Sequence, residues 1–206
     1  MSFPGLPWRL KGEMLQTVRL VSVAAARKFV PDDVRILHVL PGFTLGGLTL
    51  ARYRPGSTLS YHELIATCAL TFRGTAVGAW ISHIYVDDPR SLRAGRRMFG
   101  LPKEMAAFSW EDETVSVRQR GRLLCAAHWT ARDGWLPVPL GIPVLGTVDG
   151  DRRHFRAEGE ALVRPARARL HVSDAAPFLP LGLEGASMAF CTDDLDLRFA
   201  DVKVLA

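Results

Sequence analysis

Lysine is the scarce base in this chain. Only Lys11, Lys28, Lys103 and Lys203 stand among 26 lysines and arginines, so arginine serves wherever a positive charge alone would do. Arginine cannot give up its proton in a protein, whereas a lysine moved out of water can become a neutral amine. Cysteine is nearly as rare. Cys68, Cys125 and Cys191 are odd in number and far apart in apolar surroundings, which excludes a disulfide framework and reads as buried thiols in a reducing cytoplasm. No His-x-x-x-His spacing occurs and no cysteine neighbours a histidine, so no metal site is expected. A Gly-x-Ser-x-Gly elbow and a phosphate-cradling loop are also missing.

Long apolar runs are missing as well. The longest stretch without Asp, Glu, Lys, Arg or His is the 15 residues Gly134–Val148, and Pro137, Pro139 and Pro143 interrupt it. That is too short and too broken to span a bilayer. The first residues, Met1-Ser2-Phe3-Pro4-Gly5, lack the basic start and apolar core of a secretory leader. With 48% hydrophobic and 23% charged residues, the composition is that of a soluble globular protein. Its 206 residues suit a single domain, 1–206.

The net charge of +5 raises the question of nucleic acid. Arg152, Arg153, Arg156, Arg164, Arg167 and Arg169 do cluster, but Asp149, Asp151, Glu158 and Glu160 are interleaved and Phe155 is the only aromatic among them. A nucleic-acid groove requires one sign of charge and several stacking platforms, so neither nucleic acid nor membrane is an expected partner.

Periodicity points to an α+β, strand-dominated fold: regularly spaced strands with one or two helices suggest a closed or nearly closed antiparallel sheet. Strands are expected over 14–21, 34–39, 49–53, 60–72, 76–86, 105–110, 114–120, 123–130, 152–157, 161–172 and 188–204. The pair 60–72 and 76–86, joined by Arg73-Gly74-Thr75, has the signature of a hairpin. A short helix is expected at 24–28, and a longer one at 89–99 with Asp87 or Asp88 as N-cap and Gly100 at its stop. Gly42–Gly47 reads as a turn, Gly134–Gly150 as a long loop or lid edge, and 177–183 as irregular.

Lys103 has the most suggestive setting of the four lysines. It follows Pro102, which restrains the backbone, and Phe99, Leu101 and Met105 surround it in sequence. Those neighbours could desolvate the ammonium and favour the free amine; the plainer alternative is a surface lysine at a helix end. Strand alternation puts Tyr61, Glu63, Ile65 and Thr67 on one face, and Ala79, Ile81, His83 and Tyr85 on one face of the next strand. Were both faces to point inward, Glu63, His83, Tyr85 and Lys103 would line one cavity; Glu63 facing solvent is the alternative.

The run Ser82-His83-Ile84-Tyr85-Val86-Asp87, then Ala94-Gly95-Arg96, then Leu101-Pro102-Lys103, resembles the acetoacetate decarboxylase family. The openings Pro7–Gly12 and Tyr61-His62-Glu63 are similar to it too. The resemblance is clear over 60–105, weaker over 7–40 and faint after 130. It implies a cone-like, mostly antiparallel β-barrel with a few flanking helices, assembled into homo-oligomers and needing no cofactor. It also implies that Lys103 is the Schiff-base nucleophile and Glu63 its proton-transfer partner. The expected activity is a lyase that decarboxylates a small β-keto acid. An aldolase or dehydratase step on a pyruvate-like compound, and a non-catalytic ligand-binding barrel, are the alternatives. Arg96 would orient substrate or brace the helix-to-turn frame, and Tyr85 and His83 would line the substrate pocket.

Three positions depart from the family pattern. Glu104 replaces its second lysine, Leu48-Thr49-Leu50 stands where its first glutamate would be, and Glu13 or Gln16 lies near the place of its N-terminal arginine. Pointed at Lys103, Glu104 would hold the ammonium charged; in an extended segment it would point away.

Overall fold

The computed structural model describes residues 3–205. In chain order its strands are β1 (Trp8–Ser22), β2 (Arg35–Ile36), β3 (Phe43–Tyr53), β4 (His62–Arg73), β5 (Ala76–Val86), β6 (Lys103–Met105), β7 (Ala107–Glu111), β8 (Thr114–Gln119), β9 (Arg122–Ala131), β10 (Leu136–Val148), β11 (Asp151–Val172), β12 (Gly185–Phe199) and β13 (Val202–Leu205). The α-helices are α1 (Val23–Arg27) and α2 (Pro89–Ala94), the latter running into a π-helical turn at Gly95–Phe99. Among the described residues no helix is long and apolar enough to cross a membrane.

Seven of these strands close a ring. β1 pairs with β3, β3 with β4, β4 with β5, β5 with β10, β10 with β11, β11 with β12, and β12 with β1. Every joint is antiparallel except the short β5–β10 contact at Val144 and Leu145. Closure leaves the ring without a free sheet edge. The expected strand-dominated, mostly antiparallel barrel is therefore present. β11 is long because one of its edges has two partners in succession: residues 151–163 pair with β10 and residues 166–172 pair with β9, the start of an arm, while residues 158–170 stay paired with β12 on the other edge. β8 and β7 extend that arm.

Alternation divides the apolar residues between two cores. Trp8, Leu10, Ile84, Phe155 and Leu197 point inside the ring. Their sequence neighbours, such as Leu15, Leu64 and Tyr85, point outward and pack with Trp129 and Leu170 of the arm and with Phe178.

Several local expectations need correction. Residues 134–150 are not a loop but contain β10. Its prolines, 137, 139 and 143, share odd parity, so they remove donors from one side of the strand only, and β11 can hold the other. Gly42 does make a turn, with φ of 79°, but Phe43 onward is strand. Gly46 and Gly47 are there because the neighbouring chains come close: a Cβ on Gly47 would lie 2.0 Å from the Thr17 carbonyl oxygen. Gly159 does not break β11, for the same reason. The strand expected at 34–39 shrinks to Arg35–Ile36. The helix at 89–99 forms with Asp88 as N-cap, accepting from the Arg90 amide at 2.6 Å, and Gly100 ends it at φ of 68°.

At Gly159 an added Cβ would stand 1.8 Å from the Asp196 carbonyl oxygen, near one end of the β11–β12 ladder. Gly159→Ala is expected to cost on the order of 1–3 kcal/mol through overpacking against rigid backbone. Urea denaturation measures this, and an unchanged midpoint would show that the ladder yields there at no cost.

Candidate active site

Lys103 enters the barrel on β6, a three-residue strand parallel to β5 with Lys103 opposite Ile84. The turn before it is shaped by two glycines. A Cβ on Gly95 would stand 2.4 Å from Lys103 Cδ, so this glycine makes room for the lysine's methylene chain. A Cβ on Gly100 would meet the Thr147 amide nitrogen at 2.4 Å, where β10 closes over the turn. Arg96 donates from Nε to the Lys103 carbonyl at 2.7 Å while its guanidinium stays exposed. It braces the strand that carries the lysine and does not line the cavity.

The Lys103 side chain is 4% exposed, and its ammonium has specific partners. It donates to Glu63 Oε1 at 2.7 Å and to Ser91 Oγ at 2.9 Å, and lies 5.1 Å from the Tyr61 ring centroid. Glu63, also 4% exposed, accepts from Tyr53 Oη at 3.1 Å and from Tyr61 Oη at 3.5 Å. Burial, and after it the negative charge of Glu63, pushes both phenols well above their ordinary range. They stay neutral donors to the carboxylate. The 2.7 Å hydrogen bond is short enough for Glu63 to take the lysine's proton, leaving a free amine beside a neutral acid.

Glu63, Tyr61, Ile65 and Thr67 line a cavity of about 130 Å³ together with Lys103. His83 and Tyr85 do not, which corrects their expected place in the pocket. In register, Ala66 pairs with His83 and Thr67 with Ile81, so Ser82 has no partner. This extra residue is a β-bulge, and it inverts the alternation of β5. Ala79 and Ile81 face inward before it and Ile84 after it, while His83 and Tyr85 turn to the outer core. His83 packs at 5.2 Å from Phe29 and 5.9 Å from Phe178, and Tyr85 at 6.3 Å from Phe178. Burial pulls the imidazole below its usual range and pushes the Tyr85 phenol up.

Glu104 is exposed on the side of β6 opposite Lys103 and accepts from Gln119 Nε2 at 2.8 Å. Of the two candidates near the place of the arginine, Glu13 is paired with Arg52 and Arg54, whereas Gln16 lines the cavity. Thr49, where a glutamate would be, lines it too and donates its hydroxyl to the Gln16 side-chain oxygen. Sequence reasoning overlooked Tyr53 and Ser91 as site residues. Tyr53 is legible as the inward end of β3, but a helical serine carries no signal of its own. Ser91 matters only because α2 is seated above Lys103.

A closed barrel with one buried lysine held by one carboxylate places the chain in the acetoacetate decarboxylase-like fold, and solved structures share that architecture. The enduracididine biosynthesis enzyme MppR, complexed with pyruvate, matches with a TM-score of 0.69 at 17% identity, covering 100% of this chain and 92% of that one. Acetoacetate decarboxylase from Legionella pneumophila matches with a TM-score of 0.69 at 18% identity, covering 100% and 90%. The sequence profile of acetoacetate decarboxylase (ADC) matches residues 1–143, and the chain belongs to that family. A curated relative, Protein NEOXANTHIN-DEFICIENT 1 of Oryza sativa subsp. japonica, is 35% identical over 116 residues, covering 56% of this chain and 38% of that protein. The chain thus spans about two fifths of the length of the curated relatives it matches.

Tyr53, Tyr61 and Tyr85 are the only tyrosines in the chain, all are buried, and burial raises all three phenols. An unfolded tyrosine titrates near pH 10. Below that pH both states hold their protons; above it the unfolded chain releases them first, so stability falls as pH rises toward the folded values. Phenolate absorbance is therefore expected to appear together with loss of circular dichroism. A tyrosine that ionises in the folded protein near pH 10 would contradict this geometry.

Proposed function

We propose that this chain is a cofactor-free lyase that works through a Schiff base on Lys103, with a small β-keto acid as substrate. The observation that carries the proposal is the buried Lys103–Glu63 hydrogen bond at 2.7 Å, inside an otherwise largely apolar cavity. Glu63 takes the ammonium proton, and the amine lone pair adds to the ketone carbon. The carbonyl oxygen collects protons and leaves as water, giving a protonated imine. That cation is the electron sink: the electrons of the bond between the α-carbon and the carboxylate carbon move toward it, and carbon dioxide departs. The enamine is then protonated at carbon, and water hydrolyses the new imine to free the ketone and the lysine. Glu63 and the neutral Tyr53 and Tyr61 are the groups within reach to move these protons.

A second reading keeps the imine and changes the electrophile. The fold match to MppR, complexed with pyruvate and with the condensation product of pyruvate and imidazole 4-carboxaldehyde, supports an aldol-type condensation step, in which the enamine attacks an aldehyde in place of a proton.

Borohydride with a ketone is expected to reduce the imine and label Lys103 alone. Mass mapping reads the site, and adducts spread over Lys11, Lys28 and Lys203 would remove the proposal. Lys103→Arg keeps the charge and removes the nucleophile, so carbon dioxide release is expected to vanish while circular dichroism is unchanged.

Glu104 provides the contrast. Because it faces Gln119 and solvent, Glu104→Gln is expected to change the rate of imine formation less than about twofold, the size of a screened surface interaction. A tenfold acceleration would mean that this carboxylate holds the lysine charged.

A further inference from the structure

The polar side chains on the cavity wall are almost all engaged with one another. Tyr53, Tyr61 and Glu63 serve the lysine. At the other end the Thr49 hydroxyl donates to the Gln16 oxygen, and Gln16 Nε2 donates to the Thr17 carbonyl at 2.7 Å. That leaves the Thr67 hydroxyl, and among the described residues no charged side chain besides Lys103 and Glu63 lines the cavity. The rest of the wall is largely apolar, with Ile65, Ile81, Ile142, Val144 and Leu197 among its residues. A second carboxylate would find no cation here, and burying an unpaired charge is strongly unfavourable.

The inner face continues beyond Gln16. In register Phe190 stands opposite Gln16 and Met188 opposite Val18, and these two are 38% and 70% exposed. The same side of the sheet thus changes from cavity wall to an open surface that carries Phe190 and Met188, with the exposed Arg167 opposite Met188 at its outer edge. The cavity, at about 130 Å³, is close to the size that accommodates a benzene-sized body (~150 Å³).

We infer that the substrate carries an uncharged hydrocarbon tail: a β-keto acid whose ketone carbon reaches Lys103 and whose alkyl group lies along Ile65, Ile81 and Ile142 toward Gln16, a longer tail leaving past Phe190. The inference rests on the Schiff-base reading for the reactive end, and on the wall alone for the tail. Its specificity comes from removal of methylenes from water, which strengthens binding roughly fourfold per carbon. Compounds with a second carboxylate at the tail end are excluded for lack of a cation.

The test uses methyl ketones of increasing length, acetone, 2-pentanone and 2-heptanone, beside 6-oxoheptanoate as the tail-charged counterpart of 2-heptanone. Two quantities are read separately: ketone binding by calorimetry, and borohydride-trapped adduct at Lys103 by mass. Half-saturation is expected at concentrations falling roughly fourfold per methylene, with 6-oxoheptanoate at least tenfold weaker than 2-heptanone. Gln16→Arg, which puts a cation at the tail end, is expected to reverse that last order. Binding that strengthens with length but gives no adduct would support the apolar tail site and remove the Schiff base. Adducts that form equally with every ketone, or best with 6-oxoheptanoate, would keep the Schiff base and overturn the inference. Absence of both binding and adduct would overturn both.

Discussion

Everything at the inner end of this barrel is arranged around one buried ion pair. Taking a lysine and a glutamate out of water is costly, and the pair persists because each member has further partners. Lys103 adds Ser91 and the Tyr61 ring; Glu63 adds two tyrosine hydroxyls. Removing one member of such a pair would leave the other charge buried alone, a loss of about 3–5 kcal/mol. The same dryness that makes the pair costly makes it useful. Moving one proton along the hydrogen bond neutralises both groups, and an amine without a charge is a nucleophile.

The scaffold holds that pair by means of backbone proximity. Gly95 leaves space for the lysine chain, Gly100 lets β10 pass over the turn, and Arg96 grips the Lys103 carbonyl from outside. Along the wall, Gly46, Gly47 and Gly159 mark places where a side chain would strike a neighbouring strand. These positions act by omission, in keeping with glycine inside a strand marking close approach of another backbone. The barrel closes tightly enough to keep Lys103 and Glu63 dry because these residues allow it.

Glu104, which stands where the family pattern has a second lysine, does not place an opposing charge beside the Lys103 ammonium. Two adjacent residues of an extended segment point to opposite sides, so Glu104 lies among Gln119 and solvent while Lys103 lies inside. Glu63 is the carboxylate hydrogen-bonded to the Lys103 ammonium, and it is the proton acceptor in the proposed mechanism. At the far end, Gln16 and Thr49 form a neutral, self-satisfied pair. The cavity combines the Lys103–Glu63 pair at one end with a wall that is otherwise uncharged and largely hydrocarbon among the described residues, which is the basis for its proposed choice of substrate.

What the sequence determined by itself was the part governed by local rules. The scarcity of lysine and the Pro102-Lys103 turn singled out the lysine that the structure buries against Glu63. Two-residue alternation put Tyr61, Glu63, Ile65 and Thr67 on one face, and they share the cavity. Asp87 or Asp88 and Gly100 marked the helix ends, the structure using Asp88, and Arg73-Gly74-Thr75 marked the hairpin. Tertiary structure decided what depends on a partner strand. The unpaired Ser82 turned His83 and Tyr85 to the outer core, and a bulge is visible only in the register between two strands. Prolines that look like a loop became β10 because their missing donors all fall on one side, which matters only once β11 occupies the other. Ser91 joined the site because α2 packs over β6. No local pattern predicts these placements, since each depends on contacts made by residues distant in the chain.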